Sequence, residues 1–168
     1  MVRAGTIALL LLAAGCSAGN GSADNPQETK GASAAPHDLR VERISSGAPG
    51  QGSEHQRVIV APSAAALSAA IGASIPTSGE GAYLAAYWGE KPTGGYSLGV
   101  ESARLEGDRV TVRLLLDEPP PDAVVTQALT YPYAVVVLRD LDPRGKHFAL
   151  LDREGRKLDW PVRLVDGS

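Results

Sequence analysis

The run Tyr96-Ser97-Leu98-Gly99-Val100, the triplet Glu106-Gly107-Asp108 and the run from Val110 to Leu116 decide the fold. In the first run Tyr96, Leu98 and Val100 alternate with Ser97 and Gly99. In the second, Val110, Val112, Leu114 and Leu116 are spaced two apart, with Thr111 and Arg113 between the first three. A period of two sends alternate side chains to opposite faces of a strand, so each run predicts one buried and one wet face. The acidic-glycine triplet supplies the reversal between them. The whole reads as an antiparallel strand pair.

Toward the N-terminus, Tyr83 to Gly89 is apolar and aromatic and predicts another strand, as does the β-branched run Val58-Ile59-Val60. Between them Pro62-Ser63 opens Ala64 to Ile71, with Ser63 as cap and Gly72 as stop. This is the one helix expected, and its stripe of Leu67, Ala70 and Ile71 should face the core. Earlier still, Leu39 and Val41 alternate with Arg40 and Glu42, a weak first strand, and Ser46 to Glu54 reads as a long loop.

Toward the C-terminus, Glu118 to Asp122 carries three prolines, which remove three ladder donors and predict a stiff extended loop. Val124 to Leu129 and Tyr133 to Leu138 then read as two strands separated at Pro132. Phe148-Ala149-Leu150-Leu151, the turn Arg153-Glu154-Gly155-Arg156, and Leu158 with Trp160 suggest a final hairpin. No repeat of solenoid period is present. The expected fold class is α+β, mainly antiparallel β, a small barrel or sandwich-like sheet with one early helix, over residues 38–168.

Length and composition agree with one domain plus an appendage. The chain has 168 residues, 43% hydrophobic and 21% charged, too apolar for wholesale disorder. Sixteen Lys and Arg against nineteen Asp and Glu give a formal net charge of −3, without the basic stripe that phosphate backbones require. Nucleic acid is therefore not an expected partner. One Cys excludes a disulfide scaffold and a cysteine zinc site.

That cysteine has a different reading. Arg3 supplies a positive start, Ala4 to Ala14 is uncharged and contains Ile7-Ala8-Leu9-Leu10-Leu11-Leu12, and Ala13-Ala14-Gly15 leads into Cys16. The apolar run is too short to span a bilayer but suits a signal peptide. The stretch resembles the bacterial lipoprotein lipobox, with Ala13 where a Leu is usual. The resemblance implies cleavage after residue 15 and lipid on Cys16; the alternative is a plain secretory signal. Buried acyl chains contribute about 0.8 kcal/mol per methylene and would anchor the chain to a membrane surface. Residues 16–37 then form a tether, since the Ser, Ala, Gly and Asn that follow Cys16 bury too little to order themselves. The expected location is the cell envelope, at the outer membrane, the cell surface or the periplasm.

Motifs for chemistry are absent from the sequence. His37, His55 and His147 stand at no ligand spacing, so no metal and no other cofactor is expected. There is no Gly-x-Ser-x-Gly elbow, no triad spacing, and a lipidated Cys16 leaves no thiol nucleophile. Lys91-Pro92-Thr93-Gly94-Gly95 is not a phosphate loop, because a strand and not a helix follows it. The chain is read as a non-enzyme.

The distinctive segment is Trp88-Gly89-Glu90-Lys91-Pro92-Thr93-Gly94-Gly95-Tyr96. Pro92 fixes one φ and the glycines admit positive φ, so the strand from Tyr83 is expected to reverse tightly into the strand from Tyr96. Either this is a hairpin turn and nothing else, or it is an exposed, preordered, aromatic-flanked turn that inserts into a partner. The block Gly89 to Ser97, an alternating strand pair, and the block Val125-Thr126-Gln127-Ala128-Leu129-Thr130-Tyr131-Pro132-Tyr133 together resemble the C-terminal domain of the protease complex subunit PrcB family, over about Tyr83 to Leu138. The resemblance implies an envelope lipoprotein that helps assemble or stabilise a secreted subtilisin-like protease and is not itself a peptidase. A fainter similarity is to chagasin-type cysteine-protease inhibitors, from which Lys91 and Gly94 depart.

Three functions follow as expectations. The first is a binding module that engages a protein partner through Trp88, Lys91, Pro92, Thr93, Gly94, Gly95 and Tyr96, with Tyr131, Pro132 and Tyr133. The second is a protease inhibitor using the same turn. The third is a structural or small-ligand-binding envelope lipoprotein whose turn only shapes the fold.

Overall fold

The computed structural model describes residues 35–47 and 52–167. The expected signal peptide over 1–15, Cys16 and the expected tether as far as residue 34 lie outside the described residues. Among the described residues the strands are β1 (His37–Leu39), β2 (Val41–Gly47), β3 (Gln56–Ala61), β4 (Gly81–Trp88), β5 (Ser97–Glu106), β6 (Arg109–Asp117), β7 (Tyr133–Arg139), β8 (His147–Leu151), β9 (Lys157–Leu158) and β10 (Val162–Leu164), with one helix, α1 (Ala64–Ile71). No helix among them is long and apolar enough to cross a membrane.

The strands make two five-stranded sheets, in the orders β1-β5-β6-β8-β9 and β10-β3-β4-β7-β2. The alternation of Leu98 and Val100 and of Val110, Val112 and Leu114 is realised in β5 and β6. β5 and β6 pair antiparallel, and Val110, Val112 and Leu114 are buried. They pack with Leu98, Ala103 and Leu150 against Val58, Val60, Ala82, Leu84, Ala86, Val136 and Leu138 of the second sheet. This is a sandwich, not a barrel. The opposite face of the second sheet presents Ile59, Tyr83, Ala85, Tyr87, Val135 and Val137 to Ala64 and Leu67 of α1.

The helix forms where its end signals predict. Ser63 is extended (φ −154°, ψ 161°) and its Oγ accepts from the Ala66 amide at 3.1 Å, satisfying one of the orphan donors of the first turn. Gly72 closes the other end in the left-handed region, φ 69°. Of the predicted stripe Leu67 is fully buried, and Ala70 and Ile71 pack half-buried on the same cluster.

Four expectations are corrected. The weak strand around Leu39 is two strands: β1 pairs with β5 in one sheet and β2 with β7 in the other, the chain changing sheets at Arg40. Tyr83 to Gly89 and Tyr96 onward do not make a hairpin, since β4 and β5 belong to opposite sheets. Residues 89–96 are therefore a crossing between layers. Val124 to Leu129 is not a strand; apart from one isolated bridge at Thr130, residues 118–132 have no ladder partner. Finally, β8 lies parallel to β6 and the unanticipated β10 lies parallel to β3, so pairing is mainly but not wholly antiparallel. The β8–β9 hairpin stands, while Trp160 follows it outside the pairing.

A polar cluster ties β2, the segment before β4 and the end of β7. Arg139 donates to Glu42 Oε2 from Nε at 2.9 Å and from Nη2 at 2.5 Å, and the Ser78 hydroxyl donates to the same carboxylate. The Ser78 hydroxyl and then Arg139 hold the Glu42 carboxyl below its ordinary pKa of 4.5. A lowered carboxylate stabilises the fold fully above its unfolded value, and that contribution is lost as pH falls through the folded value. We expect Glu42→Gln to flatten the decline in urea-unfolding stability below about pH 4.5, relative to the parent. In the core, Leu84→Ala should cost about 2–5 kcal/mol in the same assay, whereas Leu129→Ala, on the surface, should stay within about 0.5 kcal/mol.

Candidate partner-binding site

β4 ends at Trp88, and Gly89, with φ 81°, turns the chain out of its sheet. Trp88 is only 5% exposed, so its ring supports the crossing from beneath instead of offering contact area. The Lys91 ammonium lies 4.2 Å from the centre of the Trp88 ring and 5.6 Å from that of Tyr96. The two rings meet edge-on, centroids 5.6 Å apart. These are attractive cation–π and T-shaped geometries. Burial pushes the Lys91 pKa down, and the Glu118 carboxylate pulls it partly back.

The crossing is fastened along its length to the segment before β7. The Lys91 amide donates to the Thr130 carbonyl at 2.8 Å, and the Thr130 amide to the Lys91 carbonyl at 3.0 Å. Thr130 Oγ1 donates to the Thr93 carbonyl at 2.7 Å, and the Gly94 amide to the Thr126 carbonyl at 2.9 Å. The Trp88 amide donates to the Pro132 carbonyl at 3.0 Å, and the Tyr131 hydroxyl to Glu90 Oε2 at 2.9 Å. That bond to Glu90 favours the neutral phenol and raises the Tyr131 pKa above 10.0. Gly95 has φ 88°, and a Cβ there would stand 2.8 Å from Pro119 Cβ and 3.0 Å from Val125 Cγ1. No other residue fits this position without displacing the proline-rich segment.

The expected site residues therefore divide. Pro92 and Gly95 are exposed, while Lys91, Thr93, Gly94 and Tyr96 are half-buried within the fastened crossing. Tyr131 joins them through Glu90, and Pro132 is buried. Tyr133 points away from the group and packs on the helix side, its ring 6.4 Å from that of Tyr87. Thr126, Thr130, Pro119 and Val125 hold the crossing in place, and none was singled out from sequence for that part. The combination of the Val125–Tyr133 block with the glycine block in one family signature is the signal that could have joined them.

Beside the crossing, at the mouth between the sheets, is a cleft of about 610 Å³. Trp88, Leu116, Leu158 and Trp160 give it apolar walls, and Glu118, Arg153, Arg156 and Lys157 rim it. One side is shaped by the turn 152–156, in which the buried Asp152 carboxylate accepts from the Arg156 amide at 2.7 Å and from its Nε at 2.6 Å. Among the described residues no group of three or more His, Cys, Asp or Glu side chains is placed to hold a metal ion.

Residues 82–139 match the family model described as PrcB C-terminal, which bears out the resemblance over that span. No curated protein and no solved structure matches the chain. The matched span runs from β4 to β7 and contains both halves of the fastened crossing.

Gly95→Ala should cost more than about 1 kcal/mol by urea unfolding, because it meets both positive φ and occupied space. At Gly94 a Cβ would meet Thr126 at an ordinary 3.4 Å, so Gly94→Ala should move stability by less than about 1 kcal/mol. Thr130→Val, which leaves the Thr93 carbonyl without its hydroxyl donor, should cost about 0.5–1.5 kcal/mol.

Proposed function

We propose that this protein is a lipoprotein of the cell envelope, attached through lipid on Cys16, that binds a protein partner and supports a secreted subtilisin-like protease without performing peptide-bond chemistry itself. The observation that carries the reading is the PrcB C-terminal match over residues 82–139, whose two blocks form one hydrogen-bonded unit between the layers of the sandwich. A unit so fastened loses little conformational freedom on binding, which is what a recognition surface on a rigid scaffold requires. The sequence before Cys16 supports the anchor, and the Ser- and Gly-rich stretch that follows supplies reach.

Three measurements on the cells that make the protein test this. Cys16→Ala should move the chain from the membrane fraction to the soluble one, and deleting the gene should lower the amount of exported serine-protease activity at least severalfold. Affinity purification of the full chain from detergent-solubilised envelopes should recover the protease. A Cys16→Ala chain that stays in the membrane fraction overturns the anchor. Unchanged protease activity in the deletion overturns the supporting role.

A further inference from the structure

The segment that fastens the crossing has an outer side which the packing leaves unused. Val124 is fully exposed and Leu129 is 57% exposed; with Leu164 they are the large exposed hydrophobic residues among those described. Residues 120–124 and 126–129 are exposed, whereas Pro119 and Val125 turn inward onto Gly95. The segment is nevertheless held in place. The Ala123 amide closes a turn onto the Pro120 carbonyl at 3.0 Å, and Thr126 and Thr130 are bonded to Gly94, Lys91 and Thr93. Three consecutive prolines stiffen its start. An apolar projection held rigid in water brings no benefit to the isolated fold, and exposed apolar groups of this kind mark interaction surfaces.

Its charges say what would cover it. From Leu114 to Leu138 the chain has no Lys, Arg or His, and its charged residues are Asp117, Glu118 and Asp122. Asp117 already faces Arg153 at 3.5 Å and Glu118 acts in part on Lys91, which leaves Asp122 as the acid given over to the apolar ridge, with Glu118 at its start. An anionic lipid surface would repel such a ridge. A second copy meeting the ridge symmetrically is poorly matched too, because the cations nearest the ridge are engaged within the chain: Lys91 with the Trp88 and Tyr96 rings, Arg153 with Asp117, Arg156 with Asp152 and Glu154, and Lys157 with Asp159. We propose that residues 119–129 form a docking ridge, in which Val124 and Leu129 enter an apolar slot, rimmed by Lys or Arg, on a different protein. This rests on the partner-binding function proposed above and moves its contact from the glycine turn to the ridge behind it.

The test uses the full-length chain in the cells that produce it, with the photocrosslinker p-benzoylphenylalanine in place of Val124, Leu129, Pro92 or, on the outer face of the first sheet, Ser102. Positions 124 and 129 should both crosslink to the same foreign polypeptide, through a peptide of apolar residues bordered by Lys or Arg, and position 102 should not. Asp122→Lys, which leaves thermal unfolding unchanged, should lower the yield from position 124 by about fivefold or more, through loss of charge complementarity. Crosslinks from 124 and 129 to lipid or to a second copy overturn the ridge, as does a yield unaffected by Asp122→Lys. Crosslinks from 92 with none from 124 or 129 overturn the ridge but leave the partner-binding function standing. None from 92, 124 or 129 overturns both.

Discussion

β4 has water on neither face, and the remainder of the fold is arranged around that condition. Ala82, Leu84, Ala86 and Trp88 face the other sheet, while Tyr83, Ala85 and Tyr87 face the helix side. Such a strand needs a layer on each side. The first sheet covers one face and α1, with the chain that follows it, covers the other. Burying each large apolar side chain contributes about 1.5–3 kcal/mol, so the position of β4 between two layers is held by most of the core at once. Its last residue, Trp88, is where the core stops and the crossing begins. The place of the crossing is thus a consequence of packing and does not depend on the crossing's own sequence.

Within the crossing, the sequence acts through the backbone. Eight residues that leave one sheet for another expose amides and carbonyls that no ladder satisfies, and near a core these need partners. The segment from Thr126 to Pro132 provides them, although more than thirty residues separate it from its partners in the chain. Gly95 permits the approach because Pro119 and Val125 occupy the space where a side chain would be. The prolines have a matching part. A segment that cannot pair as a strand is free to give its carbonyls to a loop.

The alternating strands, the two ends of α1 and the strand character of Tyr83 to Trp88 were legible in the sequence because each is written locally, as a period or a cap. What was not legible depends on residues far apart. Leu39 and Val41 look like one strand until it is known that β5 and β7 lie in different sheets. Val162 to Leu164 is too short to signal anything without β3 beside it. Val124 to Leu129 misled for a different reason: its apolar composition resembles a buried strand, but its hydrophobic residues lack a regular period and follow three prolines. Of the candidate site, the glycine turn and the Val125–Tyr133 block were visible as separate stretches. Their joining, and the burial of Trp88 and Pro132, came from packing.

Lys91 shows how the two halves differ in what they present. Its ammonium sits over Trp88 and Tyr96, and Glu118 is the counter-charge that acts on it from the other half. A cation held this way has given up part of its water to aromatic faces and is poorly available for pairing with an incoming carboxylate. The crossing therefore keeps its one positive charge for its own cohesion. The facing segment has no cation, and beside bare Val124 and Leu129 it carries Glu118, which also acts on Lys91, and Asp122. Stiffness comes from one side and chemical character from the other, so the same hydrogen bonds that satisfy the crossing also hold the ridge out in solvent.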